Sequence, residues 1–216
     1  MSSINASLNC EKMTEIDDKN ALISEARAQK VSALVCAGLA DGTELRKDYI
    51  ANVYAFYRLI AVQGELTELL AARGILPVIL KGTVCGAAYP RPELRAYGDI
   101  DFRVAPGRFD EALEILTQNG FRVTEEIHEY TRHVNLEKGG VLLEFHRYWC
   151  GSDSWEAPAN GSEFNDRVMN AEAVPAEIMG KSASICCPPS KTDWWSNAQQ
   201  ASLLECGCYC SSNFLV

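Results

Sequence analysis

The 216-residue chain reads as an α+β domain, a small mixed β-sheet with helices packed on it and further helices ahead of it. Three observations predict this. Apolar residues recur at helical spacing through much of the first 74 residues, short apolar runs then alternate with helical stretches, and a Gly139-Gly140 turn joins two strand-like segments.

The elements follow in order. Residues 20–40, NALISEARAQKVSALVCAGLA, predict a helix that ends at Asp41-Gly42. LRKDYIANVYAFYRLIAVQGELTELLAARG predicts a long amphipathic helix stopped by Gly74. Its Tyr54, Phe56, Tyr57 and Leu59 are expected to pack in the core rather than form an aromatic binding stripe. ILPVIL predicts a buried strand, KGTVCGAAY a helix opening directly from it, and DIDFRV a strand after a proline-containing loop. PGRFDEALEILTQNG is a helix with Pro near its start and Gly just past its end. FRVTEEI and TRHVNLE read as strands, and Gly139-Gly140 turns the chain into the strand VLLEFHRYW.

Composition narrows the function. Acidic residues outnumber basic ones, 29 to 20, so a non-specific nucleic-acid coat is not expected. An acidic site that holds cations still grips phosphates. No apolar run reaches the roughly 18 residues that span a bilayer, and the first residues lack a signal-peptide pattern, so the expected location is the cytoplasm. Of nine cysteines, five lie in the last 31 residues without C-x-x-C spacing or a nearby histidine, which fits neither a zinc site nor a disulfide scaffold.

GDIDFRV carries the chemistry. Strand alternation places Asp99 and Asp101 on one face and Ile100, Phe102 and Val104 on the other. Two like charges side by side repel unless a cation sits between them, and a hard divalent ion with oxygen ligands relieves the repulsion. A lone D-x-D also occurs on solvated edge strands, so its neighbours matter. Lys81-Gly82 lies where a buried strand meets a helix, a ready anion site. Arg95, on the loop entering the aspartate strand, is a second cation, and Glu144 interrupts the apolar VLLEFH. Phosphate cradle, paired carboxylates and a third carboxylate together suit two-metal phosphoryl chemistry, with ions about 3.5–4 Å apart. Arg103, set between apolar neighbours, is expected to face away from the aspartates.

ILPVILKGTVCGAAYPRPELRAYGDIDFRV, the following helix, NGF and VLLEFHRYW resemble the uncharacterised nucleotidyltransferase-like family within the DNA polymerase β-type nucleotidyltransferase superfamily. The resemblance spans roughly residues 45–150 and rests on K-G, R-x-x-G-D-I-D and the later L-E-F-H in that order. It implies a nucleotidyltransferase-like core and transfer of NMP from an NTP to an acceptor, with release of pyrophosphate. By position it implies Asp99, Asp101 and Glu144 as ligands of two Mg²⁺ ions, with Mn²⁺ as a substitute, and Glu144 as a helper in deprotonating the acceptor. Lys81 and Gly82 would cradle the triphosphate, and Arg95 would contact phosphate or anchor its loop. His146 and His133 fall in a supporting shell, or are structural.

The expected organisation is an N-terminal helical segment (1–44), the core (45–150), a partial extension (151–180) and an aberrant tail (181–216). The tail lacks apolar periodicity. Read one base back, Cys186-Cys187 and Asp193-Trp194 each force a leucine codon and Trp194-Trp195 a valine, so a frameshifted or disordered tail from near residue 181 is expected, with a metal-binding or redox tail as the alternative. Two rival functions remain: a catalytically inactive nucleotide-binding fragment, and a kinase-like phosphotransferase using the same carboxylates. The acceptor (sugar, antibiotic, peptide, protein or RNA), the preferred NTP and the oligomeric state are not encoded in any motif.

Overall fold

A computed structural model of the chain describes residues 16–80, 82–86, 89, 91–125, 127, 132–148, 170, 173–178 and 181–186. Helix α1 spans Lys19–Ala28 and is capped by Asp18, whose carboxylate accepts from the Ala21 amide at 2.9 Å. Instead of one helix over residues 20–40 there are two, because Lys30 takes a positive φ of 57° and α2 restarts over Ser32–Gly38. No glycine or proline marks that break, so the sequence pattern runs through it. A small apolar cluster of Ile23, Ala26, Val35, Leu39 and Leu45 joins the two helices.

Helix α3, Arg46–Ala71, is the long predicted helix. Phe56, Leu59, Leu66 and Leu70 enter the main core, but Tyr54 and Tyr57 are more than half exposed. The core expectation therefore holds for two of the four residues in that stretch and fails for the tyrosines. Gly74, with φ 66°, lets the chain leave the helix, and the Ile75 amide returns to the Leu70 carbonyl at 2.9 Å.

Strand β1 is Val78–Ile79, and α4 is the single turn Thr83–Gly86. Strand β2, Asp99–Arg103, leads into helix α5, Phe109–Gln118. Strands β3 (Arg122–Val123), β4 (His133–Lys138) and β5 (Val141–His146) form the predicted meander. Gly139 and Gly140 both have positive φ, 56° and 74°, as a tight hairpin requires. Strands β6 (Ala173–Ile178) and β7 (Lys181–Cys186) complete a seven-stranded sheet of order β3-β4-β5-β2-β1-β7-β6. The tail expected to begin at residue 181 thus opens with a strand of the sheet, while residues 187–216 lie outside the described residues. Strands β2 and β5 run parallel and β1–β2, β3–β4, β4–β5 and β6–β7 antiparallel, so the sheet is mixed, as expected.

Helices α3 and α5 contribute to one core with the sheet. Ile100, Phe102, Val134, Leu136, Leu143 and Phe145 meet Phe56, Leu66, Ala112 and Leu116 there. Phe145 stacks between Phe102 and Phe109, with ring centroids 4.5 and 4.1 Å away. No described helix is long and apolar enough to cross a membrane.

Candidate active site

The β2–β5 register is unbroken over five pairs: Asp99 with Leu142, Ile100 with Leu143, Asp101 with Glu144, Phe102 with Phe145, and Arg103 with His146. Alternation along a regular strand turns Ile100 and Phe102 to the core. The same alternation puts Asp99, Asp101 and Arg103 on the opposite face, and Glu144 and His146 join them from β5. Arg103 therefore shares the aspartates' face, against expectation: residues two apart on a strand point the same way. Strand β4 extends the rows, pairing Asn135 with Glu144 and His133 with His146.

An acidic row, Asp101 and Glu144, thus adjoins a basic row, Arg103, His146 and His133. Asp101 is fully buried and Arg103 and His146 nearly so, while the Glu144 side chain is 31 % exposed and faces a cleft. His146 Nε2 lies 3.2 Å from Asp101 Oδ1 and 3.5 Å from Glu144 Oε2. Burial disfavours the His146 imidazolium, but hydrogen bonds to both carboxylates and their charges outweigh it, raising its pKa above the usual histidine value. His133, with its ring centroid 5.4 Å from that of His146, goes the other way: burial lowers its pKa, and the neighbouring His146 charge adds to that.

Asp101, Glu144 and His146 each offer one ligand atom, all within 4.8 Å of one another, a group able to hold a metal ion. Asp99 joins Glu144 in lining a cleft of about 180 Å³ with Thr124, Glu125, Asn135 and Leu142. That volume holds part of a ligand rather than a whole nucleoside triphosphate.

The other sequence-predicted residues are placed as follows. Lys81 lies outside the described residues. Gly82 takes φ 65°, and a Cβ there would sit 3.4 Å from the Asp99 carbonyl, so the turn after β1 comes close to the aspartate strand. The helix expected to open at Lys81-Gly82 is only one turn, too short to supply a sizeable dipole for anion binding. Arg95 stacks its guanidinium 4.9 Å over the Tyr97 ring, and its carbonyl accepts from the Asn52 side chain at 3.1 Å.

Sequence reasoning missed several supports. Asn52 on α3 also donates to the Glu93 carbonyl at 2.8 Å, fixing the loop that enters β2. Thr83 Oγ1 donates to Gln63 Oε1 at 2.7 Å in a buried pair that ties the turn after β1 to α3. Tyr97 donates to the Pro92 carbonyl at 2.9 Å, and burial pushes its phenol up to about 12. A polar residue inside an apolar helical face, as Gln63 is, was the one available signal.

A profile described as an uncharacterised nucleotidyltransferase matches residues 16–191. No curated protein matches the sequence significantly. Among solved structures, the chain is similar to ANT(2")-Ia in complex with adenylyl-2"-tobramycin, at 19 % identity and TM-score 0.40, covering 72 % of this chain and 80 % of that one. An antigenic nucleotidyltransferase-like protein from Paracoccidioides brasiliensis is 16 % identical, with TM-score 0.39 and coverages of 60 % and 61 %. The lincomycin-bound lincosamide antibiotic adenylyltransferase LnuA is 11 % identical, with TM-score 0.35 and coverages of 63 % and 92 %. The profile match runs from ahead of α1 to beyond β7 and takes in every described helix and strand, so this chain belongs to the uncharacterised nucleotidyltransferase family.

Proposed function

We propose that the chain is a Mg²⁺-dependent nucleotidyltransferase that moves NMP from an NTP to an acceptor and releases pyrophosphate. The observation that carries this reading is the lateral pairing of Asp101 with Glu144 on parallel strands, with Asp99 on the same face. The donor set fits a hard divalent cation, because carboxylate oxygens dominate it. In this reading Asp99, Asp101 and Glu144 hold two Mg²⁺ ions, which Mn²⁺ can replace. When bound, such ions supply the positive charge that polarises a phosphoryl oxygen and offsets the charge of a leaving pyrophosphate.

The chain's own residues divide the remaining work. Asp101, buried and fixed by its strand, positions. Glu144, partly exposed at the cleft, is the group able to take a proton from an acceptor hydroxyl or amine. His146 holds both carboxylates in orientation by hydrogen bonds, the supporting role common around metal ligands, and His133 packs beside it. The backbone at Gly82, together with Lys81, receives the triphosphate, and Arg95 is assigned the anchoring of its loop through Tyr97.

Product analysis tests the reaction. Incubation with NTP, Mg²⁺ and a panel of candidate acceptors, followed by phosphorus NMR, is expected to show pyrophosphate and a nucleotidylated product. Nucleoside diphosphate instead would identify phosphoryl transfer. Bound NTP with no turnover across the panel would identify a binding module.

A further inference from the structure

Arg103 is almost completely buried, yet it stands on the face of the sheet that carries the carboxylates. Its lateral partners are Val78 on β1 and His146 on β5. Among the described residues, the charged or titratable groups that strand register puts on the same face are Asp99 and Asp101 on its own strand, Glu144 and His146 on β5, and His133 and Glu137 on β4. Strand β1 offers only Val78 and Leu80 to this face. Asp101 is entirely buried, and a buried carboxylate with no positive neighbour costs several kcal/mol. His146 meets that need only when protonated, whereas a guanidinium stays charged throughout the range in which proteins work.

We propose that Arg103 is a positioning residue that balances the charge of the Asp101–Glu144 row while no metal is bound. The inference rests on the metal-binding reading of that row. Its consequence follows from linkage. A fixed cation that stabilises the metal-free carboxylates more than the metal-bound ones weakens the binding of a second cation to them by that difference. Arg103 thus trades metal affinity for a carboxylate set that keeps its geometry between turnovers. Its burial argues against a direct role on phosphate, which would need the guanidinium open to the ligand.

The test compares wild type, Arg103→Met and Arg103→Lys by thermal unfolding in chelator and by calorimetric titration with Mn²⁺ alone. Arg103→Met is expected to melt earlier in chelator and to bind Mn²⁺ about fivefold or more tightly than wild type. Arg103→Lys keeps the charge and should track wild type in both. Should Arg103→Met not fold in chelator, Mn²⁺ is expected to restore it, and failure of that rescue overturns the proposal. Unchanged or weaker Mn²⁺ binding by folded Arg103→Met also overturns it, and loss of MnATP affinity at unchanged Mn²⁺ affinity would make Arg103 a phosphate contact instead. If wild type itself takes up no Mn²⁺, the metal site falls and this inference with it; wild-type binding without a difference in the variant sinks only the inference.

Discussion

Strands β2 and β5 have two faces built from alternate residues, and the two do opposite things. One carries Ile100, Phe102, Leu143 and Phe145 into the core shared with α3 and α5. The other carries Asp99, Asp101, Arg103, Glu144 and His146, charged or titratable groups set against one another rather than against an apolar core. The contrast teaches that an apolar core and a charged face are encoded at one-residue offsets along the same strands. A change at an exposed position of the charged face should leave the fold largely intact.

The sharpest break of that symmetry is on the core face. Phe145→Ala removes a ring stacked between Phe102 and Phe109 and should cost about 3–5 kcal/mol of unfolding free energy in urea titrations. A loss under 1 kcal/mol would mean that the apolar face does not carry the fold. Gly86→Ala is next. A Cβ there would overlap the Tyr97 hydroxyl, which itself holds the Pro92 carbonyl, so overpacking of about 1–3 kcal/mol is expected by the same measurement. Leu142 lies on the site face and is more than half exposed, so Leu142→Ala should change the unfolding free energy by no more than about 0.5 kcal/mol.

The smallest effect is in the pH dependence. His146 has a folded pKa above its unfolded value, so its contribution to stability is fully present below about pH 6.5 and is lost as pH rises through the folded pKa. His133 is shifted down, so its contribution is present above about pH 6.5 and is lost as pH falls through its folded pKa. Imidazole proton NMR in chelator should show the two midpoints on opposite sides of the ordinary histidine value, with Asp101→Asn bringing that of His146 down. Coincident midpoints would contradict the contact between His146 and the carboxylates.

Much of the site face was legible because strand periodicity is simple. The shared face of Asp99, Asp101, Glu144 and His146 followed from counting in twos, and Gly139-Gly140 fixed the hairpin that brings β4 beside β5. The same count places Arg103 with Asp101, but the apolar residues on either side of it drew attention to the wrong face. The β6–β7 hairpin was not legible. AVPAEI contains a proline, which argues against an interior strand, and Pro175 is tolerated because β6 is the edge of the sheet. KSASIC offers no strong alternation at all. The break at Lys30 left no trace either, since only tertiary packing selects a positive φ at a lysine.

The most direct test of the central claim, that the site face holds a nucleotide through metal, is calorimetric binding of an NTP panel. Wild type would be compared with Asp99→Asn/Asp101→Asn, with and without Mg²⁺, after circular dichroism has shown both chains to be folded. The account predicts that wild type binds NTP only with Mg²⁺ and that the double variant loses about a hundredfold in affinity or more. Metal-independent binding, or equal binding by the folded double variant, would contradict it and leave the aspartates as ordinary polar residues of a strand.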